Sequence, residues 1–491
     1  MKYLLAIDLG AESGRAFLGK LENEKVEFKE IHRFQNRTYR IRDGLHWNIY
    51  NLYDEILNAI QICYEKEKII PDSVGIDTWG VDYGLINKAG YLIGLPYSYR
   101  DPRTNNIVED LSKIIPKQKL YEHTGIQIMQ LNTIFQLYAE KKNHPELFNE
   151  VEKLLFIPDL LYYFLTGEKI TEFSFATTSQ LFNPRKFNWE EEIFKTVDIP
   201  VEIMNKVIDS GSIIGEIPSS LLIDKTIDKK ILAVAVATHD TGSAIAAIPG
   251  KGNDWAYISS GTWSLVGIES KTPIINELSY KYNFTNEGGV ERTYRFLKNV
   301  VGLWLLQECK RKWKQYSYPE LVEMAKNASF LVSFIDPDAS DFFNPEDMPE
   351  AIVSFCRKTG QTIPSSYGDI VQIILQSLAL KYRFVIDSIE KITGVKIEKI
   401  YITGGGINNT LLNQYVANAT GREIIITTSE GSSLGNIMVQ AMALGEVKFL
   451  SEIRKIIKNS IEMKIYEPKN ASQWQEAYIK FEKLLREYHN E

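Results

Sequence analysis

"MKYLLAIDLGAESGRAFLGKL", residues 1–21, holds two competing phosphate motifs. Gly14 to Lys20 fits the G-x-x-x-x-G-K part of a P-loop, but Leu21 stands where a Ser or Thr must hold the cation. A P-loop also joins a strand to a helix. Here Tyr3–Ile7, Arg15–Leu21 and Val26–Phe34 all read as strands, and Gly10 and Gly14 permit the tight reversal between the first two. The P-loop match is therefore coincidental. The segment "DLGAESG", residues 8–14, reads instead as a hairpin turn. Such a turn can aim backbone N–H groups and a Ser hydroxyl into a concavity that suits a phosphate, or it can be a plain hairpin. Asp8, closing the first strand, is placed to hold Mg2+ directly or through water, because hard cations take oxygen ligands.

The same layout returns in "DWAYISSGTWSLVGIES", residues 254–270: an apolar run, a Gly/Ser turn, and a second apolar run. A chain of 491 residues also exceeds what one core usually holds. Both features predict two domains on one plan, 1–247 and 248–491, with the boundary near Pro249–Asn253. Between the hairpins, Asn51–Ile62 is predicted helical, and "SVGIDTWGVDYGLIN" (73–87) reads as strand, turn and strand. Residues 132–147 and 153–167 read as helical, the latter interrupted near Pro158. "ILAVAVATHDTGSAIAAIPG" (231–250) is a buried strand, a turn and a short helix, and residues 399–420 read as strand, Gly turn and helix.

Composition narrows the function. A net charge of −7 disfavours nonspecific binding to nucleic acid or anionic membranes. The one basic cluster, Lys310–Lys314, reads as a solvated helix face. Cys63, Cys309 and Cys356 form no C-x-x-C pair and suit a reducing compartment. The apolar run at the start is broken by Asp8, and the longest one, Ile231–Ala237, is too short to cross a bilayer. A cytoplasmic protein is expected, while oligomeric state leaves no signature.

Three segments can carry chemistry. Asp240 in "VATHDTGSA" sits where a helix begins, so it can be an N-cap or a general base that takes a proton from an attacking hydroxyl. His239 has no partner at metal-ligand spacing. In "GIDTWGVDYG", Asp77 and Asp82 flank Trp79 and Gly80, which suits a sugar site, with turn chemistry around a core Trp as the alternative. "YITGGGINN" does not open a βαβ unit, so it is no dinucleotide fingerprint, but a nucleotide-contacting turn stays open.

Taken together, "DLGAESGR", "GIDTWGVD", "YRDPRT", "ATHDTGSA", "SSGTWSL", "TNEGG", "KNVVGLWLLQE" and "GGGINNTLLNQ" resemble the FGGY carbohydrate kinases, of the superfamily that includes actin and hexokinase. The segments stand in family order over nearly the whole chain. The resemblance implies an α/β fold of two ribonuclease H-like (actin-like ATPase) domains with a central cleft, binding ATP with Mg2+ and a sugar. It implies nucleotide contacts at Ala11, Glu12, Ser13, Gly14, Arg15, Thr262, Gln307 and Gly405. Gly80, His239, Asp240, Thr241 and Asn299 would face the sugar, with Asp240 the base. Glu12 departs from the small residues common in that turn. The implied reaction moves the γ-phosphoryl of ATP to the 1-hydroxyl of a ketose, expected to be L-rhamnulose, with L-fuculose or L-ribulose as alternatives. A non-enzymatic actin-like ATP-binding protein is the alternative from another class.

Overall fold

Leu4, Leu5, Ala6 and Ile7 are all fully buried, a pattern that suits a strand covered on both faces. They form the middle of β1 (Lys2–Leu9) in the computed structural model, which describes residues 1–222, 229–343 and 345–488. β1 pairs antiparallel with β2 (Ser13–Glu22), and β2 with β3 (Lys25–Gln35), so Lys20 of the P-loop near-match lies in a strand. The other edge of β1 pairs parallel with β4 (Ser73–Thr78). Beyond it lie β5 (Ser212–Ile217) and β6 (Ile231–Ala235), giving the order β5-β6-β4-β1-β2-β3.

A second set of strands repeats this plan. It includes β7 (Trp255–Ser260), β8 (Trp263–Ser270), β9 (Tyr294–Val301), β10 (Lys399–Thr403), β11 (Glu423–Ile426) and β12 (Lys464–Tyr466), with the short strand Thr285–Gly288 added at the edge beside β9. Their order is β9-β8-β7-β10-β11-β12. β7 is antiparallel to β8 and parallel to β10, as β1 is to β2 and β4. The edge strand β12 is antiparallel to β11, as β5 is to β6. The two matching hairpins in the sequence are the visible part of this repeat.

The chain divides into two compact units, one of Met1–Pro249, Glu269–Phe296 and Gly431–Ser460, the other of Gly250–Ile268, Leu297–Glu430 and Ile461–Glu491. The opening segment of the first unit ends at Pro249, and two later segments return to that unit. The physical reason is visible in the helix Gly431–Ala443, whose Leu434, Ile437, Met438 and Val439 are fully buried. A long-range docking of this kind leaves no local signature at residue 431.

Residues 153–167 also differ from the helix expected there. Val151–Phe156 is a strand, and the helix runs Ile157–Thr166. Pro158 starts this helix rather than interrupting it, since a first-turn residue needs no intrahelical N–H bond. Tyr162, on the same helix, is fully buried and ties two strands together. Its hydroxyl accepts from Ile76 N at 2.6 Å and donates to Val234 O at 2.5 Å.

Two helices meet where only hydrogen fits. A Cβ on Gly435 would lie 1.8 Å from the Ser243 carbonyl oxygen, a backbone atom of the helix Asp240–Ala246. Gly435→Ala should therefore destabilise the protein by about 1–3 kcal/mol through overpacking, despite the roughly 1 kcal/mol that Ala gains over Gly in a helix. Calorimetry or thermal denaturation checks this. A lowered Tm is the expected result, and an unchanged or raised Tm contradicts the close approach.

Candidate active site

The strand pairing sets the first two carboxylates side by side. Asp8 of β1 is the register partner of both Asp77 on β4 and Arg15 on β2. Arg15 Nη2 donates to Asp8 Oδ2 at 2.6 Å, and Ser433 Oγ donates to the same oxygen at 3.2 Å. Asp77 is fully buried. Burial first, and then the neighbouring charge of Asp8, hold its carboxyl well above the usual carboxylate range. Its Oδ2 accepts from Asn436 Nδ2 at 2.6 Å, whereas its Oδ1 has no hydrogen-bond partner.

These partners come from the helix Gly431–Ala443. Asn436 Oδ1 accepts from Gln440 Nε2 at 2.7 Å, and Gln440 Oε1 accepts from Ser73 Oγ at 2.7 Å. Ser433, Asn436 and Gln440 thus form a polar stripe at i, i+3 and i+7, reading the ends of β1 and β4. None of the three is anticipated in the sequence analysis. The spacing of small and amide residues in "GSSLGNIMVQ" (431–440) is the signal that marks them.

Asp240 begins a helix of seven residues, but it is not its cap. His239 occupies the N-cap position with extended backbone, and Asp240 is the first helical residue. The N-cap alternative for Asp240 is therefore corrected by one position. Asp240 Oδ1 accepts from Thr241 N at 2.5 Å and from Thr241 Oγ1 at 3.0 Å. No protein donor reaches its Oδ2 among the described residues, and the side chain is 30% exposed. Burial raises the Asp240 carboxyl above its ordinary value; the charge of Asp8 adds to this, and His239 opposes it. Thr241, expected to face the sugar, spends its hydroxyl on Asp240.

Asp82 departs from expectation. It is fully buried, and its Oδ2 accepts from Trp47 Nε1 at 2.6 Å, Trp79 Nε1 at 2.9 Å and Tyr99 N at 3.1 Å. Its Oδ1 accepts from Gln136 Nε2 at 2.9 Å. Burial pushes it up to about 6, against these four donors. These four donors from the protein make Asp82 an anchor for the loop. Trp79 lies against Trp47 with ring centroids 4.2 Å apart and is itself buried.

Between Trp79 and Asp82 the backbone is strained. Val81 has φ +70°, and Asp82 N donates to Gly80 O at 3.0 Å, the bond of a γ-turn. A β-branched residue in this region costs on the order of 1–3 kcal/mol and persists only where its surroundings hold it. Thr133 Oγ1, bonded to Val81 O at 2.6 Å, and the Asp82 anchor supply that hold. The turn presents Gly80 to His239, where a Cβ would stand 3.3 Å from the imidazole Nε2.

The first hairpin turn is closed by Gly10 N donating to Ser13 O at 2.9 Å, and Asn36 Nδ2 caps Gly10 O at 2.9 Å. Gly14 is required, since a Cβ there would enter the Phe34 ring. Ala11 and Ser13 are half-buried, and Glu12 is exposed.

Thr262, Gln307, Gly405 and Asn299 belong to the second unit. There Gly302 N and Trp304 N both donate to Thr262 O, at 3.0 and 3.2 Å, so the β7–β8 turn sits against the start of the helix Trp304–Lys312 that carries Gln307. Gly404 and Gly406 press on Ser260 at the end of β7, and between them a Cβ on Gly405 would meet nothing. Thr262, Gln307 and Gly405 are thus gathered around one turn. Asn299 is half-buried on β9.

The descriptions of known families and proteins fit this geometry. Residues 3–247 match the N-terminal domain and 256–444 the C-terminal domain of the FGGY family of carbohydrate kinases. A rhamnulokinase of Bacteroides thetaiotaomicron is 41% identical over 98% of this chain and 99% of its own. One of Bacillus subtilis is 39% identical over 95% of each. Among solved structures, a ligand-bound xylulose kinase from Lactobacillus acidophilus has a TM-score of 0.84 at 16% identity, covering 99% of this chain and 98% of its own. A Plasmodium falciparum glycerol kinase with ADP has a TM-score of 0.79 at 14% identity, covering 98% of each chain. At such identities the structures speak for the fold alone, but the family matches and curated relatives span nearly the whole sequence. This chain belongs to the FGGY family of carbohydrate kinases.

Proposed function

We propose that this carbohydrate kinase transfers the γ-phosphoryl group of ATP to the 1-hydroxyl of L-rhamnulose, giving L-rhamnulose 1-phosphate and ADP. The observation that carries the chemical step is the division of labour within Asp240. One oxygen is fixed by Thr241, while Oδ2 keeps its lone pairs for an incoming hydroxyl proton. A raised carboxyl makes a stronger proton acceptor than an ordinary one. The ketose supports rest on the curated relatives, which carry the name rhamnulokinase over nearly their full length. Membership of a carbohydrate-kinase family weighs against the non-enzymatic actin-like alternative.

In this reading Asp240 accepts the proton as the hydroxyl oxygen attacks phosphorus, and His239 and Gly80 line the same side of the sugar. Ala11, Glu12, Ser13, Gly14 and Arg15 are assigned to phosphate contact, and Thr262, Gln307 and Gly405 to nucleotide contact. Asn299 is assigned to the sugar. The residues also suit a divalent cation. Asp8 and Asp240 both raise Asp77, and Asp77 Oδ1 is buried without a partner, so negative charge here exceeds what Arg15 offsets. Asp8 is the residue proposed to hold Mg2+, through water. When bound, the ion supplies charge neutralisation on the phosphates. In this reading the donors of the hairpin turn stand where negative charge develops on the transferring group.

Asp240→Asn should lower kcat by about 100- to 10,000-fold, the range of a lost general base, while ATP binding by calorimetry stays within about twofold. Wild-type turnover in that variant contradicts the assignment. A coupled ADP-release assay over a panel of ketoses checks the substrate. L-Rhamnulose should show the highest kcat/KM, and analogues differing by one methyl group should fall behind by about 10- to 200-fold. A clear preference for L-ribulose or L-fuculose contradicts the substrate.

A further inference from the structure

Arg295 is fully buried in the first unit, with Nε and Nη2 in hydrogen-bond contacts and Nη1 in an ion pair that makes no hydrogen bond. Nε donates to Gly288 O at 2.9 Å, Nη1 lies 3.1 Å from Glu287 Oε2, and Nη2 lies 3.0 Å from His239 Nδ1. A guanidinium offers donors only and does not lose its proton in proteins. The His239 Nδ1 facing it must therefore be an acceptor, which leaves the ring neutral with its proton on Nε2. That nitrogen lies 3.5 Å from Asp240 Oδ1, on the side that Gly80 leaves open.

Glu287 supplies the competing pull. Its Oε2 lies 3.4 Å from His239 Nδ1 and would draw a proton there if the guanidinium were absent. Burial acts to raise the Glu287 carboxyl, but Arg295 and then His239 outweigh it and leave the group lowered, so Glu287 remains an acceptor. The remaining neighbours of the ring are uncharged. Phe175 meets it edge-on at 6.4 Å, and His239 N donates to Ser174 Oγ at 3.2 Å. Behind Ser174 stands Glu172, whose Oε2 accepts from Ser174 N, Thr238 N and Thr238 Oγ1 and so fixes the backbone that carries the imidazole.

We infer that Arg295 is a positioning residue which fixes His239 as the Nε2–H tautomer, making the imidazole a hydrogen-bond donor to a substrate or Asp240 oxygen and barring it from accepting the hydroxyl proton. This rests on the proposed kinase reading and sharpens it. Of the two adjacent side chains, only Asp240 keeps an oxygen, Oδ2, that no donor of the described residues reaches. His239 contributes one N–H, which orients the hydroxyl whose proton Asp240 removes.

The test is two-bond ¹H–¹⁵N NMR at pH 7.5 on the full-length protein labelled at its six histidines, with the His239 signals identified by their loss in His239→Gln. The wild type should show an unprotonated Nδ1 and a protonated Nε2. In Arg295→Met the proton should move to Nδ1, and kcat/KM for the ketose should fall about tenfold or more while KM for ATP stays within about twofold. A proton on Nδ1, or on both nitrogens, in the wild type overturns the inference. So does persistence of the Nε2–H tautomer in folded Arg295→Met. Should that variant fail to fold, the wild-type spectrum decides alone. A ketose panel that rejects L-rhamnulose leaves the tautomer untouched, and a proton on Nδ1 leaves the substrate assignment untouched.

Discussion

Asp8 and Asp77 stand opposite each other on two parallel strands, and two carboxylates at that spacing repel while burial strips them of water. Everything else about the site follows from how that repulsion is contained. Arg15, the cross-strand partner of Asp8, supplies one positive charge, and the helix Gly431–Ala443 supplies Ser433 and Asn436 as donors. Burial and the charge of Asp8 hold the Asp77 carboxyl well above the usual carboxylate range. The helix reaches the strands only because Gly435 lets it pass against Ser243 in backbone contact. The same approach sets the start of the helix Asp240–Ala246, and with it Asp240.

A second constraint acts on the loop after β4. Asp82 draws four N–H donors onto one fully buried carboxylate, which fixes two indoles and the amide of Tyr99. The strained turn at Val81 is held between this anchor and Thr133. Strain of this kind, kept in place by strong polar contacts, gives Gly80 a fixed distance from His239.

Much of this was legible in the sequence, and the failures have a common cause. The hairpins at 8–14 and 259–263 were readable because a tight turn demands Gly and small polar residues locally, and the repeat of that pattern announced two similar units. Asp8, Arg15 and Asp240 stood at strand or helix ends, where chain periodicity breaks visibly. Asp82 was read beside Trp79 as part of a sugar site, or else as turn chemistry around a core Trp, and the structure adds its four protein donors. Nothing local in "DTWGVD" reveals that Trp47, Tyr99 and Gln136 arrive from elsewhere to fill its oxygens. Asn436, Gln440, Glu172 and Arg295 were missed for the same reason, since each has a deciding partner tens or hundreds of residues away: Asp77, Ser73, Thr238 and His239. Residues 153–156, read as the start of a helix, belong to the strand Val151–Phe156, because a short apolar run fits either period.

The account turns on which atom takes the hydroxyl proton, and a crystal structure with the ketose and a non-hydrolysable ATP analogue addresses that directly. The prediction is a 1-hydroxyl oxygen within hydrogen-bond reach, roughly 2.6–3.2 Å, of Asp240 Oδ2, with the four bonds to Asp82 intact. A 1-hydroxyl held by another residue, with Asp240 turned away from it, contradicts the account.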